Sequence, residues 1–151
     1  MPRVLIVDDH PFIRRGVQSI LNGSPEWELC GEANNGNEAI ELTDALLPEV
    51  IIMDISMPGR NGIEAARMIR KSHPQIKIIL MTLHETGELV RSAFRAGAQG
   101  YLLKAEAEQE LLRALREVVE EDHLYISPRV DHEVVSSVLQ ENSGNGHSRP
   151  A

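Results

Sequence analysis

Asp54 closes the unbroken apolar run Val50-Ile51-Ile52-Met53, and Met57-Pro58-Gly59 follows it. Asp8 and Asp9 close a second such run, Val4-Leu5-Ile6-Val7, while Thr82 and Lys104 end two more segments of the same kind. Runs without alternation suit strands covered on both faces, as in a parallel sheet, and open parallel sheets bind ligands at the carboxyl ends of their strands. The acids, the hydroxyl and the lysine would therefore gather at one rim. Carboxylates converging there raise one another's pKa unless a cation sits among them. An all-oxygen, highly charged donor set suits Mg2+. With such an ion present, Asp54 can act as a nucleophile toward a phosphoryl group and form an acyl phosphate, with Lys104 and Thr82 binding the transferred oxygens.

The elements that must position these residues can be read in order. After the first strand, Phe12, Ile13, Gly16, Val17, Ile20 and Leu21 recur at helical spacing, and Asn22-Gly23-Ser24-Pro25 closes that helix. The segment Trp27 to Ala33 alternates as an edge strand does, and Asn34-Asn35-Gly36 turns the chain into a helix from about Asn37 to Leu47. Helices are expected again from about Asn61 to Ser72 and from Thr86 to Ala96, with strands at Ile76 to Thr82 and Gln99 to Lys104. Ala107, Leu111, Leu112, Leu115, Val118 and Val119 mark a long final helix of the α/β repeat, with Glu106, Glu108 and Glu110 at its positive end. Five strands alternating with five helices predict right-handed crossovers and a doubly wound five-stranded parallel sheet.

Three regions follow from this pattern: a domain over 1–122, an extension over 123–140 with an amphipathic helix on Val130, Val134, Val135, Val138 and Leu139, and a polar stretch over 141–151 with the composition of a flexible, disordered linker. The 151 residues carry a net charge of -8, which excludes a broad nucleic-acid footprint and disfavours an anionic membrane surface. The single cysteine, Cys30, reads as buried filler. No apolar run approaches the length of a membrane span, so the chain is expected to be soluble and cytoplasmic. His10, His73, His123, His132 and His147 show no ligand spacing and read as surface residues.

The acid pair Asp8-Asp9, the loop Asp54-Ile55-Ser56-Met57-Pro58-Gly59, Thr82, Tyr101 and Lys104, in that order, resemble the receiver domain of bacterial two-component response regulators. The resemblance covers about Pro2 to Glu121. It implies a flavodoxin-like fold with strand order 2-1-3-4-5 and phosphorylation of Asp54 by a sensor histidine kinase. It also implies Mg2+ held by Asp9, Asp54 and the backbone carbonyl of Ser56, with Asp8 acting chiefly through water, and a switch in which the Thr82 hydroxyl moves toward the phosphoryl group while the Tyr101 ring turns inward. Ser56 and His84 occupy the positions at which the family tunes the lifetime of the phosphoryl group, and His84 is expected to overhang the site. The family is a phosphoacceptor that assists its own phosphorylation and dephosphorylation rather than a turnover enzyme.

One departure is plain. Many receivers follow the lysine with a proline in a cis peptide, and here Ala105 stands in that place, where a cis bond would cost about 2.5 to 4 kcal/mol. The wording Gly97-Ala98-Gln99-Gly100-Tyr101-Leu102-Leu103-Lys104 and the Leu124-Tyr125-Ile126-Ser127-Pro128 before the extra helix look like NarL/FixJ-type regulators. In those, a C-terminal helix-turn-helix binds DNA and controls transcription. That output domain is not within this sequence, so DNA contact and a homodimer formed on phosphorylation are expectations for the full-length protein. Alternatives are a stand-alone receiver or a phosphorylation-independent interaction module. A haloacid-dehalogenase-type phosphatase would need a second acid where Ser56 stands, and a dinucleotide-binding protein would need glycines where Asp8-Asp9-His10-Pro11 stand.

Overall fold

A computed structural model describes residues 1–147, with side chains to residue 141. The order is β1 (Arg3–Val7), α1 (Pro11–Asn22), β2 (Glu28–Ala33), α2 (Gly36–Leu46), β3 (Val50–Asp54), α3 (Gly62–Ser72), β4 (Lys77–Thr82), α4 (Gly87–Arg95), β5 (Gly100–Leu103), α5 (Ala107–Leu115), β6 (Tyr125–Ile126) and α6 (His132–His147). A short 3-10 turn, Lys104–Glu106, precedes α5, and a wider π-helical turn, Arg116–Glu120, continues it. The sheet runs β2-β1-β3-β4-β5-β6 with every pair parallel. This is the flavodoxin-like order expected, with one strand added at the far edge.

Side chains that alternate along each central strand feed two apolar layers. Leu5, Val7, Ile51 and Met53 pack beneath α2, α3 and α4 with Ala39, Ala65, Ala66, Ile69, Val90, Ala93 and Phe94. Val4, Ile6, Val50 and Ile52 face α1 and α5 through Val17, Leu21, Leu111, Ala114 and Leu115. All five residues of β3 are buried, which explains its unbroken apolar run. The helices on the first layer begin with side-chain caps, Asn35 accepting from the Glu38 amide and Asn61 from the Glu64 amide, each at 2.9 Å.

The C-terminal part differs from the expected division at residue 122. Tyr125 and Ile126 pair with Gly100 and Tyr101, and Val130 and Val138 enter the first apolar layer. The extension thus belongs to the same core, because β5 would otherwise leave an open ladder edge. Helix α6 packs on α4 and continues to His147, through 141–147 where linker composition predicted disorder. Glu141 is held by Arg95, with Nε 2.7 Å from Oε1. Once a helix is nucleated, each further residue adds a backbone bond, so extension overrides weak local propensity. Residues 148–151 lie outside the described residues. No described helix is long and apolar enough to cross a membrane.

Gly62 sets the distance between α3 and the end of β3. Its amide donates to the Ile55 carbonyl at 2.8 Å, and a Cβ there would stand 2.2 Å from the Asp54 carbonyl oxygen. The obstacle is backbone, which cannot turn aside. Gly62→Ala is therefore expected to lower the unfolding free energy by about 1 to 3 kcal/mol in urea titrations.

Candidate functional site

The rim at the carboxyl end of the sheet brings together Asp8, Asp9, Asp54, Thr82 and Lys104. Asp8 continues the β1 ladder, its amide donating to Ala33 at 3.0 Å, and Ile55 does the same for β3 toward Met81 at 3.1 Å. Arg14 on α1 reaches back to donate to the Asp8 carbonyl at 2.6 Å, and its Nε lies 3.1 Å from Glu32. Asp8 and Asp54 are buried, while the Asp9 side chain is 25% exposed.

Lys104 is the cation of this group. Its Nζ stands 3.1 Å from Asp8 Oδ2 and 3.3 Å from Asp54 Oδ1. The peptide to Ala105 is trans, since no described peptide is cis, and the ammonium still reaches both acids. Burial pushes the Asp54 carboxyl above its ordinary range, and the Asp8 charge pushes the same way. The Lys104 ammonium and the Ser56 amide, which donates to Asp54 Oδ1 at 3.2 Å, oppose this without cancelling it.

The donors fit a hard divalent cation. One ligand atom from each of Asp8, Asp9, His10 and Asp54 lies within 4.8 Å of the others. Asp8 Oδ2 and Asp9 Oδ1 are buried, and neither has an aligned hydrogen-bond donor. The ammonium near the first is a charge contact only. Buried acceptors in this state are costly, and a cation would satisfy them.

Thr82, His84 and Tyr101 form a chain at the neighbouring strand ends. The His84 amide donates to Thr82 Oγ1 at 3.1 Å, and the Tyr101 hydroxyl donates to the His84 carbonyl at 2.7 Å. Tyr101 is fully buried, and burial raises its phenol well above the usual range. His84 contributes its backbone to this chain, and the residue is exposed, as is Ser56. Two residues escaped the sequence reading. His10, taken as a surface side chain, turns its ring to the acids, and its place directly after the acid pair was the available signal. Arg14 sits one helical turn on and carried no motif.

The family model for the response regulator receiver domain matches residues 4–116. The chain belongs to the response regulator receiver family. This receiver is 37% identical over 133 residues to the transcriptional regulatory protein DegU of Brevibacillus brevis, covering 88% of this chain and 56% of that one. It is 38% identical over 114 residues to the nitrate/nitrite response regulator protein NarL of Escherichia coli, covering 76% and 53%. A crystal structure of a LuxR-family two-component response regulator from Aurantimonas superposes with a TM-score of 0.83 at 30% identity, covering 95% of this chain and 99% of that chain. The receiver spans a little over half the length of the two curated relatives. The NarL and LuxR likenesses agree with the subfamily suggested by the sequence.

A carboxyl whose pKa rises on folding binds protons more tightly in the native state. It costs nothing below its ordinary value of 3.8, and its penalty grows as pH rises from there to the raised native value and is constant above it. With a chelator present, Asp54→Asn is expected to have a higher urea midpoint than the parent near pH 7. The gain should shrink toward zero as pH falls through the carboxylate range.

Proposed function

We propose that this receiver accepts a phosphoryl group on Asp54 from a sensor histidine kinase. The observation that carries the reading is a buried strand-end carboxylate 3.3 Å from the Lys104 ammonium and clustered with two further acids. Attack by an Asp54 oxygen forms the O–P bond as the P–N bond to the kinase imidazole breaks, and the imidazole leaves with the electron pair. Lys104 is placed to hold a phosphoryl oxygen in that transfer. Asp9, Asp54 and the Ser56 carbonyl would hold Mg2+, with Asp8 acting through water. Its contribution when bound is to neutralise charge on the carboxylates and on the phosphoryl oxygens. An apolar groove of about 540 Å3, lined by Phe12, Ile13, Ile20, Met81 and Ala105, opens beside Lys104 and offers a phosphodonor protein a surface next to the acceptor.

The new group adds about -1.5 to -2 charge. The Thr82 hydroxyl is the near end of the chain that reaches Tyr101 through His84, so a Thr82 contact with the phosphoryl group would release the His84 amide. Moving such a switch from 1:99 to 99:1 takes roughly 5.5 kcal/mol of differential stabilisation. Ser56 and His84 would tune the lifetime of the acyl phosphate by their access to attacking water. The chain on this reading is a phosphoacceptor and not a turnover enzyme. In a full-length cytoplasmic regulator the switched state would dimerise and control DNA binding and transcription.

The test is the intact mass of the chain after incubation with Mg2+ and acetyl phosphate. One added phosphoryl group is expected on the parent sequence, none on Asp54→Asn and none with a chelator. The phosphorylated chain is expected to sediment with a larger dimer fraction. A chain that stays folded yet gains no mass under any of these conditions would instead act as a phosphorylation-independent interaction module.

A further inference from the structure

His10 holds the N-cap position of α1, where a side chain ordinarily turns back to bond the first helical amides. Its imidazole makes no such bond, and Pro11 opens the helix directly after it. The ring turns toward the rim instead. Its Nδ1 lies 3.2 Å from Asp8 Oδ1 and 3.1 Å from Asp9 Oδ1. The Asp8 side chain is wholly buried, its Oδ2 has no aligned donor, and one atom each of Asp8, Asp9, His10 and Asp54 falls within a 4.8 Å sphere of separations.

The Asp8 contact is a hydrogen-bond distance that aims the ring, and the Asp9 distance is that of neighbouring positions in a coordination shell. Donors about 2.1 Å from an ion and at right angles to each other stand about 3.0 Å apart. We propose that His10 is a nitrogen ligand of the acidic rim's cation site and raises its preference for later first-row divalent ions, such as Co2+ or Ni2+, above that of an all-oxygen set. The inference rests on Asp9, Asp54 and the Ser56 carbonyl forming the cation site proposed above, with Asp8 behind them. Imidazole suits transition ions, whereas Mg2+ dehydrates reluctantly and keeps oxygen around it. The ring is 65% exposed, so Nε2 reaches water while Nδ1 faces the acids. No backbone shift is needed, because the His10 amide already donates to Asp8 Oδ1 at 2.9 Å and fixes the turn.

The test is calorimetric titration of the full chain with Mg2+, Ni2+ and Co2+ separately, at one pH, for the parent, His10→Ala and His10→Gln. Both substitutions are expected to weaken Co2+ and Ni2+ about tenfold or more and to leave Mg2+ binding nearly unchanged. His10→Gln keeps a polar side chain in the same exposed place, so loss of Co2+ affinity in both variants with Mg2+ retained cannot come from misfolding. An unchanged Co2+ to Mg2+ affinity ratio would overturn the role of His10 while leaving the cation site intact. Absence of binding for every ion in the parent would overturn the cation site itself.

Discussion

Lys104 lies between two carboxylates that water scarcely reaches, 3.1 Å from Asp8 and 3.3 Å from Asp54. One ammonium cannot neutralise both, and Asp9 adds a third acid at the edge. Breaking a buried ion pair by removing one partner costs roughly 3 to 5 kcal/mol, so the lysine is required for the acids to be buried at all. The remainder of the negative charge is what a cation would offset on the phosphoacceptor reading proposed above. Placement matters as well as charge, since a drift of the strand ends would let water in and relieve the burial that raises the Asp54 carboxyl.

That placement comes from backbone bonds at the strand ends rather than from the acids themselves. The parallel ladders carry Asp8 and Asp54 to the same level, Arg14 grips the Asp8 carbonyl, and the Ser56 amide holds one Asp54 oxygen. Gly62 lets α3 start against the Asp54 carbonyl. Two apolar layers clamp β3 from both sides, so the strand that bears Asp54 is buried along its whole length.

The five strands and the rim residues could be read from sequence because buried parallel strands write themselves as unbroken apolar runs with polar ends, while the strand order came from the resemblance to the receiver family. What could not be read depended on contacts without a periodic signature. β6 is two residues long, and Ser127 just after it accepts from the Leu103 amide through its hydroxyl at 2.8 Å. Such a pair carries no strand pattern. Helix α6 crosses Gly144 and Gly146, and propensity alone reads that stretch as linker. His10 looked like a surface residue because it is one on most of its ring, with only Nδ1 committed to the acids. Ala105 suggested an altered loop after Lys104, yet a trans peptide delivers the ammonium to the same acids.

The Thr82–His84–Tyr101 chain connects this charged rim to β5 and, through Ser127, whose amide donates to the Tyr101 carbonyl at 2.9 Å, to the segment between β6 and α6. All of it presupposes that Asp54 carries charge which Lys104 does not fully offset. The direct measurement is a carbon-detected NMR titration of the Asp54 carboxyl, first with a chelator and then with Mg2+. The account predicts titration above the ordinary 3.8 without metal and a downward shift when Mg2+ is added. An Asp54 that titrates at or below 3.8 in the chelator would contradict it, because Lys104 would then balance the site alone.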